Sequence, residues 1–156
     1  MDMRIANSLV VVAALTAAWI SALPAPAHAS DAIYTNWRGR ALSGYDPVAY
    51  FTEGRPVEGS AEFTTEWMGG EWRFASAANR ARFLESPERY APQYGGYCAW
   101  AMARGEAVSS DPQAWSIVGG KLYLNYSLSV QKQWEAARDE SIRKADAQWP
   151  TVRAAR

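Results

Sequence analysis

The sequence predicts an α+β fold: a small antiparallel sheet from two β-hairpins, packed with short helices and a long C-terminal helix. Two observations predict the hairpins. Segments rich in Thr and aromatic residues flank Met68-Gly69-Gly70-Glu71, and a similar pair flanks Gly119-Gly120. Glycine supplies the positive φ that a tight turn needs. A third observation predicts the long helix. Val130, Trp134, Ala137, Ser141, Ala145 and Trp149 recur at steps of three and four, which is one apolar stripe.

The elements follow in order. Arg4 precedes an uncharged, mostly apolar run over residues 7–23, then Pro24, Pro26 and the small-x-small pattern Ala27-His28-Ala29. This reads as a signal peptide, residues 1–29, cleaved after Ala29. A membrane anchor needs roughly 20 apolar residues and no cleavage site. The expected location is therefore periplasmic or secreted, with no membrane span after cleavage. Residues 30–41 read as an N-terminal arm, 42–150 as the domain and 151–156 as a tail.

Asp46 before Pro47 is a cap followed by the residue suited to a first helical turn, so a short helix is expected over residues 47–52. The first hairpin takes residues 62–67 and 72–74. Ser76 caps a helix over residues 77–85, its stripe expected through Ala78, Ala81 or Arg82, and Leu84, with Phe83 beside it. Ser86-Pro87 repeats the cap-then-Pro device. Residues 98–103 read as an apolar helix stopped by Gly105. Asp111-Pro112 is a third cap-then-Pro pair, and the second hairpin takes residues 114–118 and 121–126. Alternation points Lys121 and Asn125 outward. Ser127 or Ser129 starts the long helix, which ends near Trp149-Pro150. Asp139–Arg143 and Glu140–Lys144 are opposite charges four apart on its wet side. The glycine pairs stand fifty positions apart, each followed by an aromatic strand, a Ser and a helix. This is a duplicated ββα unit or convergence on a common turn.

Charge and composition exclude several functions. The chain has 16 basic and 16 acidic side chains, one His and one Cys. Neutrality argues against a nucleic-acid binder, which needs a basic surface. The single His28 leaves with the signal, so no Ser-His-Asp or Cys-His pair can form. One Cys cannot build a structural zinc site within one chain. No Walker or Gly-x-Gly-x-x-Gly pattern supports nucleotide binding.

Gly44-Tyr45-Asp46-Pro47, Tyr94-Gly95-Gly96-Tyr97-Cys98 and Lys121-Leu122-Tyr123-Leu124-Asn125 together resemble the YHS-domain family, in its exported stand-alone branch. The resemblance runs from about Leu42 to Pro150. It implies a small α+β domain, and it raises metal handling, because family members are fused to or found near metal-transporting proteins. The chain departs from the Tyr-His-Ser triplet that names the family. Only Cys98 carries over as a ligand, through the Tyr94–Cys98 motif. The implied function is an exported, non-enzymatic binding domain, in metal handling with a soft, copper-like ion. The alternatives are an interaction or structural module with a buried Cys98, and a thiol-dependent redox protein.

Cys98 has three readings. It is a small buried side chain beside the glycine pair. It is a soft-metal ligand with Met102, four residues on and hence on the same helix face. Or it is a redox-active or partner-bonded thiol, which wants a basic neighbour. A homodimer would double the metal donors, and a protein partner would suit an aromatic face. Asp46, Gly95, Gly96, Tyr97 and Asp111 read as structural motif residues, the aspartates as caps. Among the tryptophans, Trp115, Trp134 and Trp149 are expected in the core, and Trp67 and Trp72, beside a turn, at the surface.

Overall fold

A computed structural model describes residues 32–156. Residues 1–29, expected to be a signal peptide and including His28, lie outside the described residues. The chain is α+β, as its patterns predict. The first half holds α1 (Ala49–Thr52), β1 (Ser60–Trp67), β2 (Gly70–Phe74), α2 (Ala77–Glu85) and α3 (Pro87–Tyr90). The second holds α4 (Ala99–Met102), β3 (Asp111–Val118), β4 (Lys121–Asn125), α5 (Leu128–Ala136) and α6 (Arg138–Ala154). The hairpins do not join: β1–β2 and β3–β4 are separate two-stranded antiparallel sheets.

The two halves repeat one design. Ser60–Trp67 and Gly70–Phe74 recur 51 positions later as Asp111–Val118 and Lys121–Asn125. Both hairpins carry a bulge at the same place, between Ser60 and Thr64 and between Asp111 and Trp115. Ser76 caps α2 by accepting from the Asn79 N–H, and Ser127 caps α5 by accepting from the Val130 N–H. A tight turn precedes each unit, with Leu42, Ser43 and Gly44 at positive φ in one and Tyr94, Gly95 and Gly96 in the other. The register pairs Gly69 with Gly120 and Met68 with Gly119, one position off the fifty-residue spacing of the glycine pairs.

Two cores result. Trp72, Phe74 and Phe83 of the first unit pack with Leu122 and Leu124 of β4. Tyr94, Tyr97, Met102, Tyr123, Trp134 and Ala145 form the second core. Strand β4 therefore lies between them, with alternate side chains serving opposite cores. The arm is docked: Ala32 and Ile33 are buried, and the Tyr34 N–H donates to the Gly95 carbonyl at 2.8 Å. A Cβ on Gly95 would sit 1.9 Å from the Ala32 carbonyl oxygen, so this approach requires glycine.

Several expectations are corrected. On α2 the buried pair is Asn79 and Phe83, while Leu84 is exposed, because Asn79 is drawn inward to Asp46. Trp72 is fully buried, since it shares the inner face of β2 with Phe74. Asp111 starts a strand and caps no helix. The long helix is two, broken at Ala137, where α5 packs on the second hairpin and α6 packs on α4. The stripe through Trp134, Ser141 and Ala145 survives that break. Pro150 lies inside α6, and contacts of Trp149 with Tyr94 and Tyr97 hold the turn around it. Glu140 pairs with Lys144 at 2.7 Å, whereas Asp139 meets Arg138. Among the described residues, no helix is long and apolar enough to cross a membrane.

Candidate functional site

The motif residues converge on two equivalent nodes, one per repeat. Each begins with a backbone pairing: the Asp46 N–H donates to the Val57 carbonyl, and the Cys98 N–H donates to the Val108 carbonyl. Each precedes a one-turn helix whose first N–H groups need acceptors.

In the first node one carboxylate supplies them all. Asp46 is completely buried. Its Oδ1 accepts from the Val48 N–H at 2.8 Å and the Ala49 N–H at 3.3 Å. Its Oδ2 accepts from the Ala75 N–H at 2.9 Å and from Asn79 Nδ2 at 2.7 Å. The aspartate thus ties α1 to β2 and α2, and four donors satisfy its charge.

In the second node Cys98 occupies the aspartate's place. It is 1% exposed. A thiol cannot accept what a carboxylate accepts, so the acceptor comes from elsewhere. Asn125 reaches in from the end of β4. Its Oδ1 accepts from the Trp100 N–H at 3.2 Å and lies 3.9 Å from the Cys98 Sγ, which donates to it. Asn125 is completely buried, and its Nδ2 has no hydrogen-bond partner among the described residues.

Met102 ends α4 and is fully buried in the second core. Its N–H donates to the Cys98 carbonyl at 2.9 Å, so the two residues are one helical turn apart. This is a thiol and a thioether, two soft donors. Among the described residues, no three His, Cys, Asp or Glu side chains gather in one place. The two donors do not by themselves complete the cradle that a soft metal takes from Cys and His ligands. The nearest basic residue in sequence, Arg104, donates to the Trp100 carbonyl and stacks over the Trp100 ring.

The other motif residues hold this geometry. Gly95 and Gly96 take positive φ in the turn before Cys98. Tyr97 packs against Tyr34 and receives a hydrogen bond from Arg156 at 3.2 Å. The Tyr94 hydroxyl donates to Asp146 at 2.8 Å; burial, then that carboxylate, pushes the Tyr94 phenol well above the ordinary range. Asp111 is the cross-strand partner of Asn125, and its carboxylate accepts from the Gln113 N–H at 2.9 Å in the bulge of β3 rather than from the node.

Sequence reasoning missed Asn125, which alternation had pointed outward. A signal exists: Asn125 aligns with Phe74, and a buried amide at an apolar position needs a purpose.

The family model of the YHS domain matches residues 48–94, which span α1 to α3 and end at Tyr94. The match takes in α1 to α3 of the first repeat, beginning after Asp46, and stops short of Cys98. No curated protein and no solved structure matches the chain. The part of the chain that matches a YHS domain is therefore residues 48–94, and the motifs at residues 44–47, 95–98 and 121–125 flank that match.

Proposed function

We propose that the chain is an exported YHS-type binding domain that performs no catalysis of its own, its motif residues forming a closed scaffold for a binding surface. One observation carries this reading. The Cys98 thiol is 1% exposed and donates to Asn125, a capping residue, while Met102 packs in the core. A thiol spent in this way positions α4, as Asp46 positions α1. Export rests on the apolar run, the prolines and the Ala27-His28-Ala29 pattern.

Metal handling is a second reading, favoured by the single helical turn that separates Cys98, the N-cap residue of α4, from Met102 at its end. It needs additional donors, which a second copy of the chain would supply.

One experiment separates the two. The exported protein is purified without chelators and its metal content per chain is measured, with Cys98→Ala in parallel and anaerobic Cu(I) loading of both. The scaffold reading expects no thiol-dependent metal in either form. Near-stoichiometric metal that disappears in Cys98→Ala overturns it in favour of a metal site. A half-stoichiometric value lost in the same variant does so with a ligand-sharing dimer.

A further inference from the structure

We infer that the cleft where the two repeats meet the arm binds a small zwitterion with an aromatic body, in the class of a free aromatic amino acid. The inference rests on the reading of the chain as a binding domain and names its ligand.

The cleft has a volume of about 220 Å³. Trp67 and Met68 enter it from the first hairpin, Tyr94 from the turn before Cys98, and Trp149 from α6. Glu88 of α3 and Arg153 of α6 also line it. The aromatic walls are held independently of any ligand. Trp67 makes edge contacts with Trp72 and Phe83 at 5.6 and 5.7 Å between ring centres. Trp149 contacts Tyr94 at 6.3 Å and Tyr97 at 6.4 Å. Preformed walls of this kind lower the ordering cost of binding.

The repeat supplies a second argument. Met68 holds φ at 49°, a region that side chains disfavour. Its counterpart in the other hairpin is Gly119, at φ 58°. The turn works with glycine, yet the first hairpin places a thioether side chain there, and that side chain lines the cleft. That side chain packs against the first core on one side and faces the cleft on the other, so the strained turn fixes a thioether at the cleft wall.

The charges define the ligand. Glu88 and Arg153 have no ion-pair partner among the described residues. A bare anion in the cleft would meet Glu88, and a bare cation would meet Arg153. A zwitterion complements both, which is discrimination by repulsion as much as by attraction. Size agrees: an engineered cavity of about 150 Å³ takes benzene, and the larger cleft takes a ring with a short polar chain.

The test is titration of the full chain with L-tryptophan, tryptamine, indole-3-acetate and N-acetyl-tryptophanamide. Calorimetry gives affinity, and amide shifts in ¹⁵N NMR give the place. L-Tryptophan should bind at least about tenfold tighter than each analogue, with shifts centred on Met68 and Gly95. Glu88→Gln should erase the preference over indole-3-acetate, and Arg153→Gln the preference over tryptamine. Met68→Gly copies the turn of the other hairpin but gives up packing against the first core; at a temperature where its unfolding curve shows it fully folded, it should weaken binding several-fold. Equal affinity for the blocked amide would overturn the proposal in favour of an aromatic side chain presented by a protein. No saturable shift at millimolar ligand would overturn it outright. The metal assay on Cys98→Ala reads the broader proposal separately, so silence in the cleft leaves that result intact.

Discussion

In the first repeat a single carboxylate, Asp46, accepts four hydrogen bonds and joins three elements. In the second repeat the same position is Cys98, and the acceptor has moved to Asn125 on a neighbouring strand. The difference follows from what surrounds each node. The first lies beside α2, whose Asn79 brings a donor to the carboxylate. The counterpart of Asn79 is Val130, which brings none. A buried carboxylate at position 98 would lack that partner, and an unpaired buried charge is costly. The Cys-Asn pair caps the helix without burying a charge.

The largest effect should come from breaking the stronger node. Asp46→Ala strands four donors, three of them buried, each buried one costing about 1–3 kcal/mol and not additively. A loss of about 3–5 kcal/mol in urea unfolding is expected. A loss under about 1 kcal/mol would show that the carboxylate does not organise the first repeat.

Next come the glycines, which sharpen the comparison of the two turns. Gly95→Ala drives a Cβ into the Ala32 carbonyl as well as demanding positive φ. It should cost about 2–4 kcal/mol and release the arm, read as loss of amide protection at Tyr34. Gly119→Ala meets no atom within 4 Å. It should cost only about 1 kcal/mol, the backbone penalty alone.

Asn125→Ala breaks the weaker node. It removes one accepting oxygen and also an amide nitrogen that has no partner. The expected loss is about 1–2 kcal/mol, well below that of Asp46→Ala, in the same denaturant series. Losses of equal size would mean that the nodes carry equal weight.

Alkaline pH separates the two cores more gently. Burial raises the phenols of Tyr50 in the first core and of Tyr94 and Tyr123 in the second. A raised folded-state pKa means that the folded chain keeps a proton the unfolded chain loses. Stability is then complete below about pH 10 and falls above it, by up to about 1.4 kcal/mol per pH unit for each tyrosine. Tyr50→Phe should lower that slope, and so should the pair Tyr94→Phe with Tyr123→Phe. Unfolding curves between pH 9 and 11 check this; an unchanged slope in the double variant would contradict it.

Local signals carried most of the fold. The Ser76 and Ser127 caps, the turn glycines and the stripe on α5 and α6 were legible because each depends on a few neighbouring residues. Asp46-Pro47 and Asp111-Pro112 show the limit of that reasoning. Both aspartates accept from the N–H two residues on, at 2.8 and 2.9 Å. Only the first is followed by a helix, because the second pairs across its hairpin with Asn125. Whether a cap opens a helix was decided by a strand partner that no local pattern contains. Asn125 was hidden for a related reason. Alternation finds an outer face only when one exists, and β4 is covered on both sides: Leu122 and Leu124 serve one core, Tyr123 and Asn125 the other.

The central claim is that Cys98 is a closed structural thiol, and its alkylation rate tests this most directly. Iodoacetamide or a disulfide reagent is applied to the native protein and to the protein in urea, with Asn125→Ala alongside. Modification should be complete in urea and at least about a thousandfold slower in the native state, limited by opening of the domain. Asn125→Ala should raise the native rate without reaching the urea value. Native modification as fast as in urea would contradict the account, and would return Cys98 to the reactive or metal-binding readings that its sequence first suggested.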